Sequence, residues 1–366
     1  MLTSFLFNIP DHRRKQGRRY ELGHILLFSI LGILSDASSY RKTAAFITAN
    51  YQTLNKFFEL NWKRCPTHTT IRKIIKDTSA TELEQAFRDY SKNLIDDGTQ
   101  KQGISFDGKI LRGSFDNFKG QSVQQMLNTF ANYNHIILAH EEIDAKTNEI
   151  PTAQQLIIEL GLSEELLTLD AIHCQEKTLQ AAHDTDNYVI VQVKANQKTL
   201  FNDCKTIVKT TQPTEVYIEP ATKAHNRIES RKVETFVDPT LTHTEKWQLV
   251  KVVIKVTRDR QVFDTKKKMW KRTIKVSFYI STIVLSAQEF CQTIRAHWGI
   301  ENRNHYVRDV TLDEDKSRIR TNPHMFARLR SFALNILRYN KVENISMELF
   351  TNCMNIKNIF NYRGIF

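Results

Sequence analysis

Three carboxylates stand out by their local settings. Asp107 closes an apolar run in ISFDGKILRGS, Asp170 closes another in LLTLDAIHCQ, and Glu301 lies in RAHWGIENRNHYVRDV, which reads as a helix. Carboxylate oxygens are the ligands that a hard cation such as Mg²⁺ prefers. Two such ions about 3.5–4 Å apart can activate an attacking oxygen and stabilise a leaving oxygen in an in-line phosphoryl displacement. Rigid strand ends suit two of the ligands, a requirement that Asp107 and Asp170 meet, and Glu301 can reach in from a helix packed on the sheet. The expected catalytic and metal-holding residues are therefore Asp107, Asp170 and Glu301, with two Mg²⁺ or Mn²⁺ ions. Taken singly, each is weak evidence in a chain with 40 acidic residues, because Asp at a strand end is also a common turn-former or cap.

A rival reading uses the same stretch. His297, Glu301 and His305 recur at helical spacing, and His173 follows Asp170 closely, so two histidines and a glutamate could hold zinc. No H-E-x-x-H pattern accompanies them, which ranks this below the carboxylate trio. His297 is then expected to contact phosphate or to orient the carboxylates. Arg308 lies just under two α-helical turns beyond Glu301 and can share its face, making it a candidate phosphate contact. Trp298 has two readings, a core residue or a platform for a nucleobase. The chain has no G-x-x-x-x-G-K-[ST], no G-x-G-x-x-G and no G-x-S-x-G, so neither a nucleotide cofactor nor an α/β-hydrolase elbow is expected.

Charge sets the partner class. Against 52 Lys+Arg stand 40 Asp+Glu over 366 residues, a net +12. That excess favours polyanions, nucleic acid first and an anionic membrane second. Cys65, Cys174, Cys204, Cys291 and Cys353 are scattered without a C-x-x-C pair, which points to a reduced, cytoplasmic protein rather than a zinc ribbon or disulfide framework. The apolar run Leu22 to Leu34 follows a basic stretch but is interrupted by His24 and Gly32 and is too short to span a bilayer, so a buried helix is expected.

The elements that must position these residues fall into blocks. Residues 1–100 read as a helical N-terminal domain for DNA binding or dimerisation. Within it, Pro66-Thr67-His68-Thr69-Thr70 caps IRKIIK, placing Ile71, Ile74 and Ile75 inward and Arg72, Lys73 and Lys76 outward. This suits the second helix of a helix-turn-helix, and equally an ordinary amphipathic surface helix. Residues 101–205 alternate strand-like runs (Ile104–Leu111, His135–Ile143, Leu166–Leu169, Tyr188–Val193) with helical ones (Ala153–Leu160, Lys177–Ala182), the pattern of a mixed α/β sheet. Residues 206–280 read as a basic β-rich insertion with strands at Glu215–Glu219, Ile228–Val237, Trp247–Thr257 and Thr273–Ser281. There Arg227, Arg231, Lys251 and Lys255 are candidate DNA contacts, or else lysines and paired charges guarding an exposed sheet edge. Residues 281–345 resume a helical part of the core, and 346–366 form an apolar tail expected to dock on the body.

Several blocks carry a resemblance over almost the whole length. IPDHRRKQGRRYELGHILLFSILGIL, DGKILRGS, KTNEIP at 146–151, LDAIHCQ, VKANQKTL at 193–200, HNRIESR at 225–231 and RAHWGIENRNHYVRDVTLDEDKSR resemble the DDE transposases of bacterial insertion sequences, in the branch containing the H-repeat-associated proteins. The resemblance implies a ribonuclease-H-like core interrupted by a β insertion before the glutamate helix. It implies metal-dependent cleavage of double-stranded DNA at the element's terminal inverted repeats, and transfer of the 3′-hydroxyl strand into target DNA. Asp107, Asp170 and Glu301 take the catalytic positions by motif match, and synapsis of two ends implies a homodimer. Related transposases carry a Tyr–Arg–Glu–Lys signature around the glutamate. Here Ile294, His297 and Arg308 occupy its Tyr, Arg and Lys slots, so Arg308 alone keeps a phosphate-binding residue type. Two alternatives share the same residues: a domesticated DNA-binding regulator, and a metal-dependent nuclease that cuts without joining.

Overall fold

A computed structural model of the chain describes residues 1–95, 103–115, 123–143, 148–224 and 226–366. Lys146, Thr147 and His225, from two of the quoted blocks, lie outside the described residues. In chain order the strands are β1 (Ile104–Leu111), β2 (Gln124–Ala131), β3 (Ile136–Ile143), β4 (Leu166–Leu169), β5 (Tyr188–Val193), β6 (Glu215–Ala224), β7 (Arg227–Val237), β8 (Val252–Asp264) and β9 (Met269–Ser281). The chain divides into two units that do not follow its linear blocks. One comprises Met1–Thr99, Gly108–Thr147 and Ile300–Phe366; the other comprises Gln100–Asp107 and Asn148–Gly299. They are called the helical unit and the sheet unit below.

The sheet unit is a mixed sheet in the order β1-β4-β5-β9-β8-β7-β6. β1, β4 and β5 run parallel. β9, β8, β7 and β6 continue antiparallel. β4 reads LLTL and is buried at every position, as a strand covered on both faces should be. β6 to β9 are longer and emerge from cover: in β9 Met269–Lys275 is exposed and only the far end is buried. Helix Ala287–His297 starts at a capping box in which Ser286 and Glu289 satisfy each other's backbone N–H groups. Its Ala287, Phe290, Cys291 and Ile294 join Leu166, Ile190, Val233, Val252, Ile254 and Val256 in one apolar core. Burying six or so aliphatic side chains at ~1.5–3 kcal/mol each makes this contact the main stabiliser of the helix's position.

The helical unit is built on two helices buried along nearly their whole length. Leu22–Ile33 is buried at every residue, as its unbroken apolar run predicts. Pro323–Tyr339 is buried from Pro323 to Leu337 although it carries His324, Arg328, Arg330 and Asn335. These polar groups are all engaged. Asn335 accepts from Ile137 N at 2.9 Å and donates to Ile137 O at 2.8 Å, so it extends the β2–β3 hairpin onto the helix. Arg328 Nε donates to Glu84 at 2.7 Å, and Glu84 also accepts from His140 N. Burial would raise the Glu84 carboxyl, but His140 first, and then Arg328 and Arg88, hold it near pKa 2. The C-terminal tail docks on the N-terminal helix Leu2–Phe7, with Leu2 N on Gly364 O at 3.0 Å and Thr3 N on Ile365 O at 3.1 Å.

Three readings of the sequence need correction. β2 was unassigned, because QQMLNTFA has no clean alternation, yet its last six residues are buried. The strand expected at Trp247–Thr257 starts at Val252 and runs on to Asp264; Trp247 sits in a turn. The helical part expected within residues 281–345 breaks into an α-helix ending at His297, π-helical turns at Ile300–His305 and Val307–Thr311, and an irregular crossing before Pro323. Among the described residues no helix is long and apolar enough to cross a membrane.

Candidate active site

In the sheet unit the two aspartates are neighbours by register. β1 and β4 pair in parallel as Ile104–Leu167, Ser105–Thr168 and Phe106–Leu169, so Asp107 and Asp170 are the next residue on each strand. Adjacent strands lie about 4.8 Å apart and side chains alternate between faces. Asp107 and Asp170 therefore share a face with Ser105 and Thr168. Asp170 is exposed just past the end of β4, but Asp107 is half-buried midway along β1 rather than at the strand end expected, because β1 runs on to Leu111; Ser105 and Thr168 are buried.

That face carries a hydrogen-bonded chain. Ser105 Oγ and Thr168 Oγ1 are 2.9 Å apart, and Thr168 Oγ1 lies 2.9 Å from His297 Nδ1. Burial holds the His297 pKa below its ordinary value, partly offset by the negative charge of Asp170. His297 thus stands at the end of the hydrogen-bonded chain on the face that carries the aspartates. Neither Ser105 nor Thr168 was marked by the sequence, although β-strand hydroxyls two residues before each aspartate were the available signal. Burial pushes the Tyr279 hydroxyl up to about 12, with Asp170 adding to the shift. Below Asp170, the turn Ala171–His173 is tied down: Asn196 Nδ2 donates to Ala171 O at 2.6 Å, and buried His173 pairs with Glu149 at 3.1 Å. His173 is thus committed to Glu149.

Glu301 belongs to the helical unit. It is exposed, in the π-helical turn Ile300–His305. The α-helical spacing assumed for His297, Glu301, His305 and Arg308 does not hold, because α winding ends at His297. Arg308 is a correction. It is 0 % exposed and its guanidinium is engaged by Glu314 at 2.9 Å and Asn128 Oδ1 at 3.0 Å, so it is an internal ion pair and not a phosphate contact. Glu314 gathers Lys109 at 3.6 Å and Arg330 at 3.8 Å as well. These cations overcome the burial penalty and hold its carboxyl near pKa 2. Lys109 also pairs with Asp309, and Arg112 with Asp315 at 3.3 Å. Gly113 lies against the Ser317 backbone so closely that a Cβ there would overlap its carbonyl oxygen. The DGKILRGS and RDVTLDEDKSR blocks are therefore locked to each other inside this unit.

The remaining expected DNA contacts divide. Helix His68–Lys76 has the anticipated form: Thr67 accepts from Thr70 N, Ile71, Ile74 and Ile75 are buried, and Arg72, Lys73 and Lys76 are exposed. Lys251 is exposed and Arg227 is 45 % exposed. Arg231, by contrast, is paired with both Glu219 and Glu229, and Lys255 with Glu234 at 2.7 Å. Both are held within the sheet, so the basic face of the β insertion is narrower than its sequence suggests.

The donor set suits a hard divalent cation: two in-register carboxylates with no thiolate beside them. Within either unit, among the described residues, no three His, Cys, Asp or Glu side chains cluster as a complete metal site.

The chain matches the transposase DDE domain model over residues 98–338 and the DDE_Tnp_1-associated model over residues 3–91. It therefore belongs to the DDE transposase family, and it is a DNA transposase, an enzyme that cuts and transfers DNA strands. Relatives are similar over most of their length. The putative transposase YncI of Escherichia coli O157:H7 is 28% identical over 350 residues, covering 92% of this chain and 87% of that one. The H repeat-associated putative transposase YhhI of Escherichia coli K12 is 26% identical over 341 residues, covering 91% and 89%. The putative protein YbfL of the same strain is also 26% identical over 341 residues, with the same coverage.

Proposed function

We propose that Asp107, Asp170 and Glu301 are the catalytic carboxylates of this transposase. The supporting observation is the parallel register that sets Asp107, midway along β1, beside Asp170, just past the end of β4. Parallel β1, β4 and β5, with helix Glu176–His183 between the last two, support a ribonuclease-H-like core in which β6 to β9 form the insertion. The three carboxylates would hold two Mg²⁺ or Mn²⁺ ions. When bound, such ions activate the attacking oxygen and stabilise the leaving oxygen. The chain's own part is positional. Thr168, hydrogen-bonded to Ser105 and two residues before Asp170, would hold His297 in place, and the Asp170 carboxylate is exposed to a phosphodiester.

The substrate in this reading is double-stranded DNA at the ends of an insertion sequence, bound in the bacterial cytoplasm by a homodimer that brings two ends together. Arg72, Lys73 and Lys76 would meet backbone phosphate from helix His68–Lys76, and Arg227 and Lys251 from the β insertion. Cleavage would free a 3′-hydroxyl for joining to target DNA. The test is Asp107→Ala in purified protein with Mg²⁺ and a duplex carrying the terminal repeat. Cleavage should vanish while gel-shift binding survives; cleavage near the wild-type rate would remove Asp107 from the mechanism. Product analysis separates the alternatives: joined target supports transposition, nicked fragments alone support a nuclease, and binding without nicking supports a regulator.

A further inference from the structure

The helical unit holds a cavity of about 760 Å³ whose walls are strongly cationic. Arg303, Arg338, Lys341 and Arg363 line it with His135, against a single carboxylate, Glu343, which is exposed. Arg303 donates to His135 Nε2, a neutral acceptor. Arg338 donates to Arg303 O at 3.1 Å, while its Nε is buried without a hydrogen-bond partner. Arg363 lies over the Tyr339 ring at 5.6 Å and is held there because Asn340 bonds its backbone N–H and C=O, each at 3.0 Å. Among the described residues, no carboxylate lies within ion-pair distance of any of the four cations. Their mutual repulsion is visible in the neighbours: burial together with Arg303 lowers the pKa of Arg338, and burial with both arginines brings His135 to about 4. Arg338 is half-buried with its Nε unpartnered, and an anion in the cavity would offset the repulsion among these cations. Three guanidiniums and an ammonium match the oxygens of a phosphate, which arginine binds in a fork.

We infer that this cavity is a phosphate-binding site, separate from the carboxylate centre, that takes a phosphate group of the nucleic acid. The nucleic-acid source rests on the proposed DNA reading; the phosphate chemistry does not. Arg303 stands two residues beyond Glu301 in the same π-helical turn, so a phosphate captured here would restrain the turn that carries the proposed third carboxylate.

The experiment uses full-length protein and two variants. Lys341→Asn is exposed and keeps a residue tolerant of the left-handed backbone at φ 57, and Arg338→Gln removes the buried charge. Pyrophosphate at constant ionic strength should raise the wild-type melting temperature by a few degrees and leave both variants unmoved. Each variant should bind duplex DNA several-fold more weakly, and the slope of log K against log salt should fall by about one. Equal pyrophosphate protection in all three proteins would overturn the site. Protection lost in the variants with DNA affinity and salt slope unchanged would keep the phosphate site and overturn its assignment to nucleic acid. If wild-type protein binds no DNA, the DNA reading fails by itself, and the pyrophosphate measurement still decides the cavity.

Discussion

Glu314→Gln isolates the ion cluster that locks the two sequence blocks together. Glu314 is 4 % exposed and faces Arg308, Lys109 and Arg330. Its carboxyl is held near 2, against an ordinary value of 4.5. At ~1.4 kcal/mol per pKa unit the charged form contributes about 3 kcal/mol to the folded state at neutral pH. That agrees with the ~3–5 kcal/mol usually lost when one partner of a buried pair is removed. The folded pKa is depressed, so the contribution is complete above about 4.5 and drains away as pH falls toward 2. Urea unfolding of wild type and Glu314→Gln at pH 7 should differ by about 3 kcal/mol, and by about 1 kcal/mol less at pH 3.5. Glu84, held near 2 by its own cations, titrates identically in both proteins and cancels in the difference. A gap that stays constant between pH 7 and pH 3.5, or one below about 1 kcal/mol at pH 7, would refute the assignment of Glu314 as the charged centre of this cluster.

Gly113→Ala should destabilise by at least ~1–3 kcal/mol, read as a lowered melting temperature, since the new Cβ meets the Ser317 backbone rather than a movable side chain. Thr168→Val keeps the shape of the strand but removes the hydroxyl between Ser105 and His297; a loss of ~1–3 kcal/mol in urea unfolding is expected, with Thr168→Ser largely restoring it. Asp170→Asn should reduce DNA cleavage to background with duplex affinity unchanged or raised, measured by gel shift beside the cleavage assay. Replacing Arg72, Lys73 and Lys76 together by Gln should lower the slope of log K against log salt by about one for each phosphate contact removed, with little change in melting temperature because all three are exposed.

The strands that position the aspartates were legible because β1, β4 and β5 are short, apolar and bounded by turn residues. Helix His68–Lys76 was legible for the same kind of reason: cap, period and charge agree. β2 was hidden because its packing depends on the hairpin with β3 rather than on its own pattern. The winding around Glu301 was hidden for a different cause. Nothing in IENRNHYVRDV distinguishes α from π hydrogen bonding, and the hydrogen bond from Arg308 to Asn128 and the ion pair of Asp309 with Lys109 reach residues far away in sequence. A basic residue in a conserved-looking block therefore read as a ligand for phosphate when its charge was already matched. Arg231 and Lys255 misled in the same way, since cross-strand carboxylates cannot be paired with them before the register of β6, β7 and β8 is known.

The chain passes between its two units beside both proposed catalytic segments, at Asp107–Gly108 and at Gly299–Ile300. Each crossing is anchored immediately inside the helical unit. After the first come Lys109, Arg112 and Gly113; after the second come Arg308, Asp309, Glu314 and Asp315; and these residues bind one another. The blocks that carry the family resemblance thus do two kinds of work. A few residues offer carboxylates, and a larger number fix the two chain segments that bear them. A buried lysine held by two carboxylates resists sliding more than an apolar contact would, because any shift leaves a charge unpaired in a site with little water. This accounts for the ion pairs that join the two segments, and it makes Lys109 a structural residue although it stands two positions from Asp107.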